Sequence, residues 1–344
     1  MTGAAEPVTA TVLIATYNRA TLLDRTLGSL RRLRLGAGRR WELIVVDNNS
    51  SDATRGVVER HARDFVVPLR YLHETQQGRS SALNTGIAAA RGTVIAMTDD
   101  DVIVDEGWLE AACDALLEPA SPDIVYAGGP VRPLWEAAPP AWLDLRRGDL
   151  WGTIAIQDHG GDAFVYEEKK KVPLGANMAT TRALFARIGH FRVDLGRTSG
   201  ARVLGQEVPE LLARARAAGC RGAYVPAMRV DHHVPAARLT RRYFRRWWFG
   251  KGVSRARLEE SRPVTELGLD LRRTPHVLGV PRYMYRGALQ DVAAWLRATV
   301  TRRAADAFRH EMMLVYVAGY LLTRVAGTLR RQPVAAMAGR PTPS

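Results

Sequence analysis

Cysteine is scarce in this 344-residue sequence, with only Cys113 and Cys220 present. Two cysteines are too few for the disulfide framework of a secreted protein, and the N-terminal segment has no basic stretch followed by an apolar one. No run reaches the roughly 18 uninterrupted apolar residues of a membrane-spanning helix. The nearest, residues 312–326, contains Thr323 and Arg324. We therefore expect a cytoplasmic protein that does not cross a membrane.

Two nucleotide-binding signatures are also missing. Neither G-x-G-x-x-G nor G-x-x-x-x-G-K-[ST] follows any apolar segment that predicts a strand. These absences argue against a nicotinamide-dependent dehydrogenase and against a P-loop nucleotide hydrolase. Hydrophobic residues make up 47% of the chain, which is ample for the core of one large domain or of two smaller ones.

The net charge of +14 is confined to the C-terminal part of the chain. Residues 1–237 contain 28 basic and 28 acidic residues, whereas residues 238–344 contain 21 basic and 7 acidic ones. Aromatic residues are interleaved with arginines between Leu239 and Phe249. This composition suits an anionic partner, either lipid headgroups or nucleic acid. A solvated helical face is a third interpretation.

The first hundred residues alternate between apolar segments that predict strands and segments that predict helices. Strands are predicted at residues 8–15, 41–46, 69–72 and 93–98. Helices are predicted at about 21–33, from the end of the loop 48–52 to about 63, and at 80–90. Such alternation predicts an α/β fold with a largely parallel sheet covered by helices on both faces. Ligands of such sheets bind beyond the carboxyl ends of the strands.

Three carboxylates, Asp99, Asp100 and Asp101, follow the fourth predicted strand directly. Adjacent carboxylates repel one another unless they share a cation, and hard oxygen ligands suit Mg²⁺ or Mn²⁺. The cluster therefore indicates a metal site for a phosphate-bearing ligand. A solvated acidic turn before the next helix is the alternative interpretation.

Four segments in order resemble the family 2 inverting glycosyltransferases with the GT-A fold: VLIATYNR, ELIVVDNNSSDAT, GRSSALNTGIAAARGTVIAMTDDD and GANMATTRALFARIGHF. The resemblance covers roughly residues 8–234. It implies a Rossmann-like mixed, mainly parallel sheet flanked by helices. It also implies a hexosyltransferase-type enzyme of cell envelope polysaccharide synthesis that uses Mn²⁺ or Mg²⁺. Its partners would be a nucleotide-diphosphate sugar and a hydroxyl acceptor, either a glycan or a lipid-linked molecule.

The same resemblance implies roles for individual residues. Asp47 would bind the nucleotide base, Asp99 and Asp101 would lie at the metal and ribose, and His232 would be a further metal ligand. The residues expected to bind the donor are Thr16, Tyr17, Arg19, Asp47, Asn49, Arg79, Asn84, Asp99 and Asp100. Ordinary turn chemistry is the alternative for the residues after the first strand, and a surface histidine pair is the alternative for His232.

The expected catalytic base departs from the family pattern. Family members carry a Glu-Asp pair near the start of a helix, and the matching residues here are Glu207 and Val208. Glu207 and Glu210 are the candidate bases because residues three apart share one side of a helix, and we favour Glu207. If neither accepts the proton, the chain would be a weakened homologue that binds nucleotide sugar and serves as a partner or scaffold.

We predict three regions along the chain: a catalytic domain over residues 8–237, a basic, aromatic-rich helical extension over 238–330, and a disordered tail over 331–344. Residues 238–257 are expected to bring the protein to an anionic membrane, at the inner face of the cytoplasmic membrane. Two or three further helices beyond about residue 277 would pack on the catalytic domain, on a bilayer or on a second copy in a homodimer. Nucleic acid is not an expected partner, because only the charge of the extension favours it.

Overall fold

The computed structural model describes residues 7–169, 171–195, 206–261 and 270–330 of the chain. The tail predicted over residues 331–344 lies outside them. The chain divides into two compact units, residues 1–243 and 244–344. The boundary falls close to the start of a long helix that begins at Arg241.

The strands of the first unit form two sheets. They are β1 Ala10–Thr16, β2 Trp41–Asp47, β3 Leu69–His73, β4 Val94–Thr98, β5 Val102–Val104, β6 Ile124–Gly128, β7 Val131–Trp135, β8 Phe164–Val165, β9 Asn177–Thr181, β10 Arg221–Tyr224 and β11 Val230–Val234. The larger sheet has the order β3-β2-β1-β4-β9-β6-β10-β8, and the smaller one has the order β5-β11-β7. In the larger sheet β9 runs antiparallel to β4 and β6, β8 runs antiparallel to β10, and the remaining neighbours are parallel. This mixed, mainly parallel sheet confirms the predicted fold class.

Helices cover both faces of the larger sheet. Those of the first unit are α1 Ala20–Leu30, α2 Thr54–Ala62, α3 Arg79–Ala89, α4 Trp108–Leu117, α5 Arg182–Ile188 and α6 Glu207–Ala217. Successive residues of a strand face opposite sides of its sheet. Val12 of β1 therefore joins a core with α1, α2 and α4, whereas Leu13 joins a second core with α3, α5 and α6. Burial on both faces explains why these strands are continuously apolar rather than alternating.

The loops behind the carboxyl end of β4 are held together by one buried amide. Asn177, at the start of β9, accepts a hydrogen bond from Trp108 Nε1 at 2.7 Å. Its Nδ2 donates to the carbonyl oxygens of Pro130 at 3.0 Å and Met228 at 2.6 Å. Gly129 lies in the same crowded region, where an added Cβ would lie only 2.1 Å from the Met228 carbonyl oxygen. A glycine is required there because any side chain would collide with backbone.

The second unit is mainly helical. It contains most of α7 Arg241–Ser261, then the two-residue strands β12 His276–Val277 and β13 Val280–Pro281, and the helices α8 Arg282–Val300 and α9 Ala304–Arg330. Two glycines allow α7 and α9 to approach closely, since a Cβ at Gly252 would lie 2.1 Å from the Tyr316 carbonyl oxygen and one at Gly319 would lie 2.3 Å from that of Phe249. Within the described ranges, none of the helices is both long and apolar enough to cross a membrane.

The aromatic residues of α7 do not share one environment. Phe244 and Trp248 are buried, with ring centroids 5.8 Å from Phe308 and 6.3 Å from Tyr316 respectively. Phe249 remains exposed. The basic, aromatic composition of this segment predicted rings available to a membrane, but the helical spacing of four turns Phe244 and Trp248 toward α9.

Candidate active site

The three consecutive aspartates form the turn between β4 and β5, beside the carboxyl end of β1. Thr16, the last residue of β1, donates its hydroxyl hydrogen to Asp100 Oδ2 at 2.7 Å. Arg19 Nη1 lies 3.1 Å from Asp100 Oδ1 and 2.5 Å from Asp101 Oδ2. Burial raises the pKa of Asp100 to about 6, with Arg19 opposing this rise and Asp101 adding to it. Arg19 thus compensates part of the charge that three adjacent carboxylates bring together.

The smaller sheet carries His232 to this turn. His232 on β11 is paired with Val102 on β5, one residue beyond Asp101. Its Nε2 lies 3.5 Å from Asp101 Oδ1, and ligand atoms of Asp99, Asp101 and His232 all lie within 4.8 Å of one another. Burial lowers the pKa of His232, so the imidazole is neutral near pH 7 and able to bind a metal.

This donor set fits a divalent cation. Two carboxylate oxygens and one imidazole nitrogen are suitable ligands for Mn²⁺, and the carboxylates alone suit Mg²⁺. Asp101 Oδ1 is buried and has no hydrogen-bond donor in the described part of the chain. A buried acceptor without a donor is costly, and a cation bound there would satisfy it.

Arg238 is a residue of this cluster that the sequence analysis did not identify. Its Nη1 lies 3.5 Å from His232 Nε2, and its Nη2 lies 3.9 Å from Asp101 Oδ2. By sequence, Arg238 belongs to the basic extension, because it begins the arginine-rich segment. The only signal for its position is its place in the sequence, in the turn that follows β11 and His232.

Arg79 connects the aspartates to Glu207. Arg79 begins α3, and its Nη2 donates to Asp99 Oδ1 at 2.8 Å and to the Gly175 carbonyl oxygen at 3.2 Å. Its Nη1 lies 3.4 Å from Oε1 of Glu207, the first residue of α6. The second oxygen, Glu207 Oε2, is buried and accepts no hydrogen bond from the described residues. One carboxylate oxygen is therefore held by Arg79 while the other is available.

Glu210 has a different environment. Both of its carboxylate oxygens accept hydrogen bonds from Arg214 Nε at 3.0 Å, and Arg214 Nη2 lies 2.9 Å from Glu210 Oε2. Arg214 also donates to the carbonyl oxygen of His190 at 2.7 Å. Glu210 thus orients Arg214, and Arg214 links α6 to the segment after α5. Val208, in the place of the family's usual aspartate, is buried in the apolar core beneath α6.

The loops after β1 and β2 are tied to one another. Asn18 Oδ1 accepts a hydrogen bond from the Ser51 backbone N–H at 2.7 Å. Asp47, at the end of β2, accepts from the Ser50 N–H at 2.9 Å and from the Tyr71 hydroxyl at 2.9 Å. Burial, together with the hydrogen bond to Asp47, raises the pKa of Tyr71 to about 12. Asp47 is therefore fixed in orientation at the carboxyl end of β2.

The remaining expected donor-binding residues lie in different settings. Tyr17 is exposed in the loop after β1. Asn49 has a positive φ of 66° and donates from Nδ2 to the Thr75 carbonyl oxygen at 2.7 Å. Asn84 is bonded through both amide atoms to the Phe191 backbone, at 2.8 and 3.0 Å. The structure gathers the following around the aspartate turn: Thr16, Arg19, Arg79, Asp99, Asp100, Asp101, Glu207 and His232.

The fold is that of a GT-A type protein. A mannosyltransferase from Pyrobaculum calidifontis, solved with GDP-Man and Mn²⁺, superposes with a TM-score of 0.62 at 19% identity, over 95% of this chain and 88% of that one. GalNAc-T7, solved with UDP, GalNAc and Mn²⁺, gives a TM-score of 0.52 at 16% identity, over 76% of this chain and 52% of that one. At these identities the likeness establishes the fold.

The family model "Glycosyl transferase family 2" matches residues 11–182, half of the chain, and the chain belongs to this family. The glucosyl-dolichyl phosphate glucuronosyltransferase of Haloferax volcanii is 26% identical over 210 residues, which cover 60% of this chain and 64% of that protein. The validoxylamine A glucosyltransferase of Streptomyces hygroscopicus subsp. jinggangensis is 32% identical over 148 residues, which cover 40% and 35%. The chain thus spans less than two thirds of the length of either relative.

Proposed function

We propose that this protein is an inverting, metal-dependent glycosyltransferase that moves a sugar from a nucleotide-diphosphate sugar to a hydroxyl group. The observation that carries the proposal is the cluster of Asp99, Asp101 and His232, with Glu207 linked to it through Arg79. Cation ligands and a buried carboxylate with an available oxygen are the two chemical components that such a transfer requires.

Asp99, Asp101 and His232 would hold Mn²⁺ or Mg²⁺. A divalent cation bound there would offset the negative charge that develops on the departing nucleoside diphosphate. Asp47 and Tyr17, on the loops beyond β2 and β1, would contact the nucleoside. Thr16 and Arg19 would fix Asp100. Arg19 also contacts Asp101 through Oδ2, and Oδ1, which has no donor among the described residues, would face the ion, with Asp99 at the ion or the ribose.

Glu207 is the residue that we propose as the general base. Its Oε2 would accept the proton of the acceptor hydroxyl as that oxygen attacks the anomeric carbon and the bond from this carbon to the diphosphate breaks. Attack from the face opposite the leaving group inverts the configuration. Arg79 holds Oε1 and so directs the free oxygen. Glu210 is unsuited to this role because Arg214 engages both of its oxygens.

We further propose an acceptor that is lipid-linked, reached at an anionic membrane surface. The Haloferax relative is named for a dolichyl phosphate substrate, which supports an acceptor of this class. Arg241, Arg242, Arg245 and Arg246 of α7 are exposed, although Arg245 also pairs with Glu311 at 2.5 Å. Each basic residue at an anionic leaflet contributes about 1 kcal/mol. With Phe244 and Trp248 buried, we expect α7 to contribute charge more than insertion.

Calorimetry of nucleoside diphosphate binding tests the donor site. With GDP and UDP as probes, we expect affinity to fall at least about tenfold when Mn²⁺ is replaced by a chelator, since the phosphates lose the cation between them and the carboxylates. Asp101→Asn should abolish the difference between the two conditions. Asp64→Asn, at a carboxylate outside the cluster that pairs with Arg31, is the matched control and should retain it. Equal affinity with and without metal in the unmodified protein would refute metal dependence.

Turnover tests the reaction itself. A panel of nucleotide sugars with a polyprenyl-phosphate-linked acceptor should give product of inverted anomeric configuration, assigned by NMR coupling constants. A product of retained configuration would refute the mechanism. Nucleotide binding without any turnover across the panel would instead favour a binding partner or scaffold.

A further inference from the structure

Helix α8 has apolar residues on two sides, and one of these sides is uncovered. Met284 and Ala298 are buried within the second unit. On another side Leu289, Val292, Leu296 and Val300 are 72, 40, 51 and 81% exposed. Their spacing of three or four residues places them in one row along the helix, and Tyr285 precedes them one turn earlier. We call Leu289, Val292, Leu296 and Val300 the outer row.

The charges around the outer row have one sign. The basic residues of α8 are Arg282, Arg286 and Arg297, and all three are exposed. The acidic residue of this helix, Asp291, lies toward α9, where its Oδ1 is 2.7 Å from His310 Nδ1. At 100° per residue, the three arginines fall on the outer row or along one margin of it, well away from Asp291. Among the residues of α8 itself, the uncovered side is therefore apolar, bordered by arginines, and carries no carboxylate.

A hollow of about 550 Å³ adjoins the start of the outer row. Its lining combines apolar surface from Val277, Tyr285 and Leu289 with the side chains of Arg282 and Arg286. Apolar walls beside two guanidinium groups match the chemistry of a phospholipid, whose chain is apolar and whose phosphate accepts hydrogen bonds from arginine.

We propose that α8 is the element that inserts into an anionic membrane surface, with the outer row among the acyl chains and its arginines at the phosphates. This deepens the membrane part of the proposed function by assigning insertion to α8. Interfacial helices combine such an apolar side with cationic margins. The positive charge of the α8 arginines favours a bilayer over a second copy of this chain as the partner that covers the outer row. Two antiparallel copies joined through the outer row would bring arginines toward arginines. In either orientation the uncovered side of α8 supplies no carboxylate of its own to neutralise them, whereas anionic lipid complements them.

Vesicle partitioning of the full chain tests the proposal. Phosphatidylcholine vesicles with and without phosphatidylglycerol are titrated with the unmodified protein and with Leu289→Gln/Leu296→Gln. We expect binding that requires phosphatidylglycerol and a partition coefficient at least about tenfold lower in the double variant, because two inserted leucines are lost. Leu322→Gln is the matched control, since Leu322 is also exposed but lies on α9 outside the outer row. It should bind like the unmodified protein.

Substitution of α7 arginines distinguishes insertion by α8 from the broader proposal that the protein attaches to an anionic membrane. If Arg242→Gln/Arg246→Gln lowers binding while Leu289→Gln/Leu296→Gln does not, membrane attachment stands and insertion by α8 is refuted. Unchanged binding in both variants, or no binding to either vesicle, refutes α8 insertion as well. A change from dimer to monomer in Leu289→Gln/Leu296→Gln, measured by analytical ultracentrifugation without vesicles, would assign the outer row to a second copy instead.

Insertion depth gives a second measurement that does not depend on affinity. Both native cysteines, Cys113 and Cys220, are buried, so a spin label can be directed to one introduced cysteine. On anionic vesicles, a label at Leu296→Cys should become accessible to oxygen and protected from a water-soluble nickel complex. A label at Leu322→Cys should stay accessible to the nickel complex. Equal nickel accessibility at both positions would overturn the proposal.

Discussion

The aspartate turn of the first unit and helix α8 of the second unit use arginine in opposite ways. Around the aspartate turn of the first unit, arginine side chains contact carboxylates: Arg19 binds Asp100 and Asp101, and Arg79 binds Asp99 and Glu207. On the uncovered side of α8, arginines lie beside apolar residues with no carboxylate on that side. Charge paired inside the first unit stabilises the geometry of a site. The arginines on the uncovered side of α8, which have no carboxylate partner among the described residues, remain available to an external partner.

Within the first unit, two glutamates of one helical turn also differ in how arginine contacts them. Both oxygens of Glu210 are bonded to Arg214, whereas Glu207 retains a buried oxygen that has no donor in the part of the chain that the structure describes. A carboxylate with both oxygens bonded to arginine suits a structural role, whereas a carboxylate with an unbonded oxygen can accept a proton.

Glu207→Gln should lower the transfer rate by about 10²- to 10⁴-fold, the usual contribution of a general base, because an amide cannot accept the proton. Nucleotide affinity measured by calorimetry should stay within about twofold, since the base acts on the acceptor. Glu210→Gln is the matched control and should retain most of the rate. A silent Glu210→Gln enzyme beside an active Glu207→Gln enzyme would reverse the two assignments.

Arg19→Gln should destabilise the metal-free protein by about 3 kcal/mol, because the buried carboxylates of Asp100 and Asp101 lose their cationic partner. Added Mn²⁺ should restore part of this loss, and more than it adds to the unmodified protein, because a bound cation compensates the same carboxylates. Denaturant unfolding with and without Mn²⁺ measures both effects. Arg55→Gln, which breaks an exposed pair with Glu59, should change little under either condition. An equal response to Mn²⁺ in Arg19→Gln and the unmodified protein would contradict a shared role of arginine and cation.

Glu210→Gln should lower the free energy of unfolding by about 1–3 kcal/mol, since Arg214 loses its charged partner in a largely buried position. The mutation leaves the residues of the aspartate cluster intact, so metal-dependent nucleotide binding should persist. Chemical denaturation and calorimetry on one preparation separate these outcomes. Loss of metal-dependent binding at full stability would place Glu210 in the donor site.

Arg286→Gln/Arg297→Gln should change the free energy of unfolding by less than about 0.5 kcal/mol per site, because neither side chain has a carboxylate partner in the described residues. Thermal unfolding in solution checks this. Binding to anionic vesicles should nevertheless weaken and become less sensitive to salt. A clear loss of stability in the absence of vesicles would mean that these arginines act within the fold, as Arg19 does.

The sequence predicted those strands and helices that a local hydrophobic pattern determines. The strands and helices from β1 to β4 could be recognised because each apolar segment is short, continuous and followed by a polar turn. The antiparallel insertion of β9 between β4 and β6 could not, since strand neighbours more than about 50 residues apart leave no periodic signal. The same limit hid the pairing of β5 with β11. His232 came only from the resemblance to a family, and Arg238 was not identified at all.

In the second unit, amino-acid composition predicted the environment of side chains less well than the helical period did. Arginines and aromatics between Leu239 and Phe249 indicated one membrane-facing helix. A helical period places Phe244, Trp248 and Gly252 four residues apart on one side, and that side faces α9. For α8 the helical period predicts two apolar sides, but it does not predict which of them is buried in the fold. Only the three-dimensional packing makes that choice.

The antiparallel position of β9 also constrains how the chain acquires its fold. The strands from β3 to β4 are contiguous in sequence, so this part of the sheet can assemble from neighbouring segments as they leave the ribosome. β4 gains its other neighbour, β9, only after Thr181 has been synthesised, and Asp101 meets His232 later still. Contacts of such sequence separation form slowly because a long loop must close first. The nascent chain therefore carries its three aspartates through the synthesis of more than 100 further residues before the histidine that faces them is added.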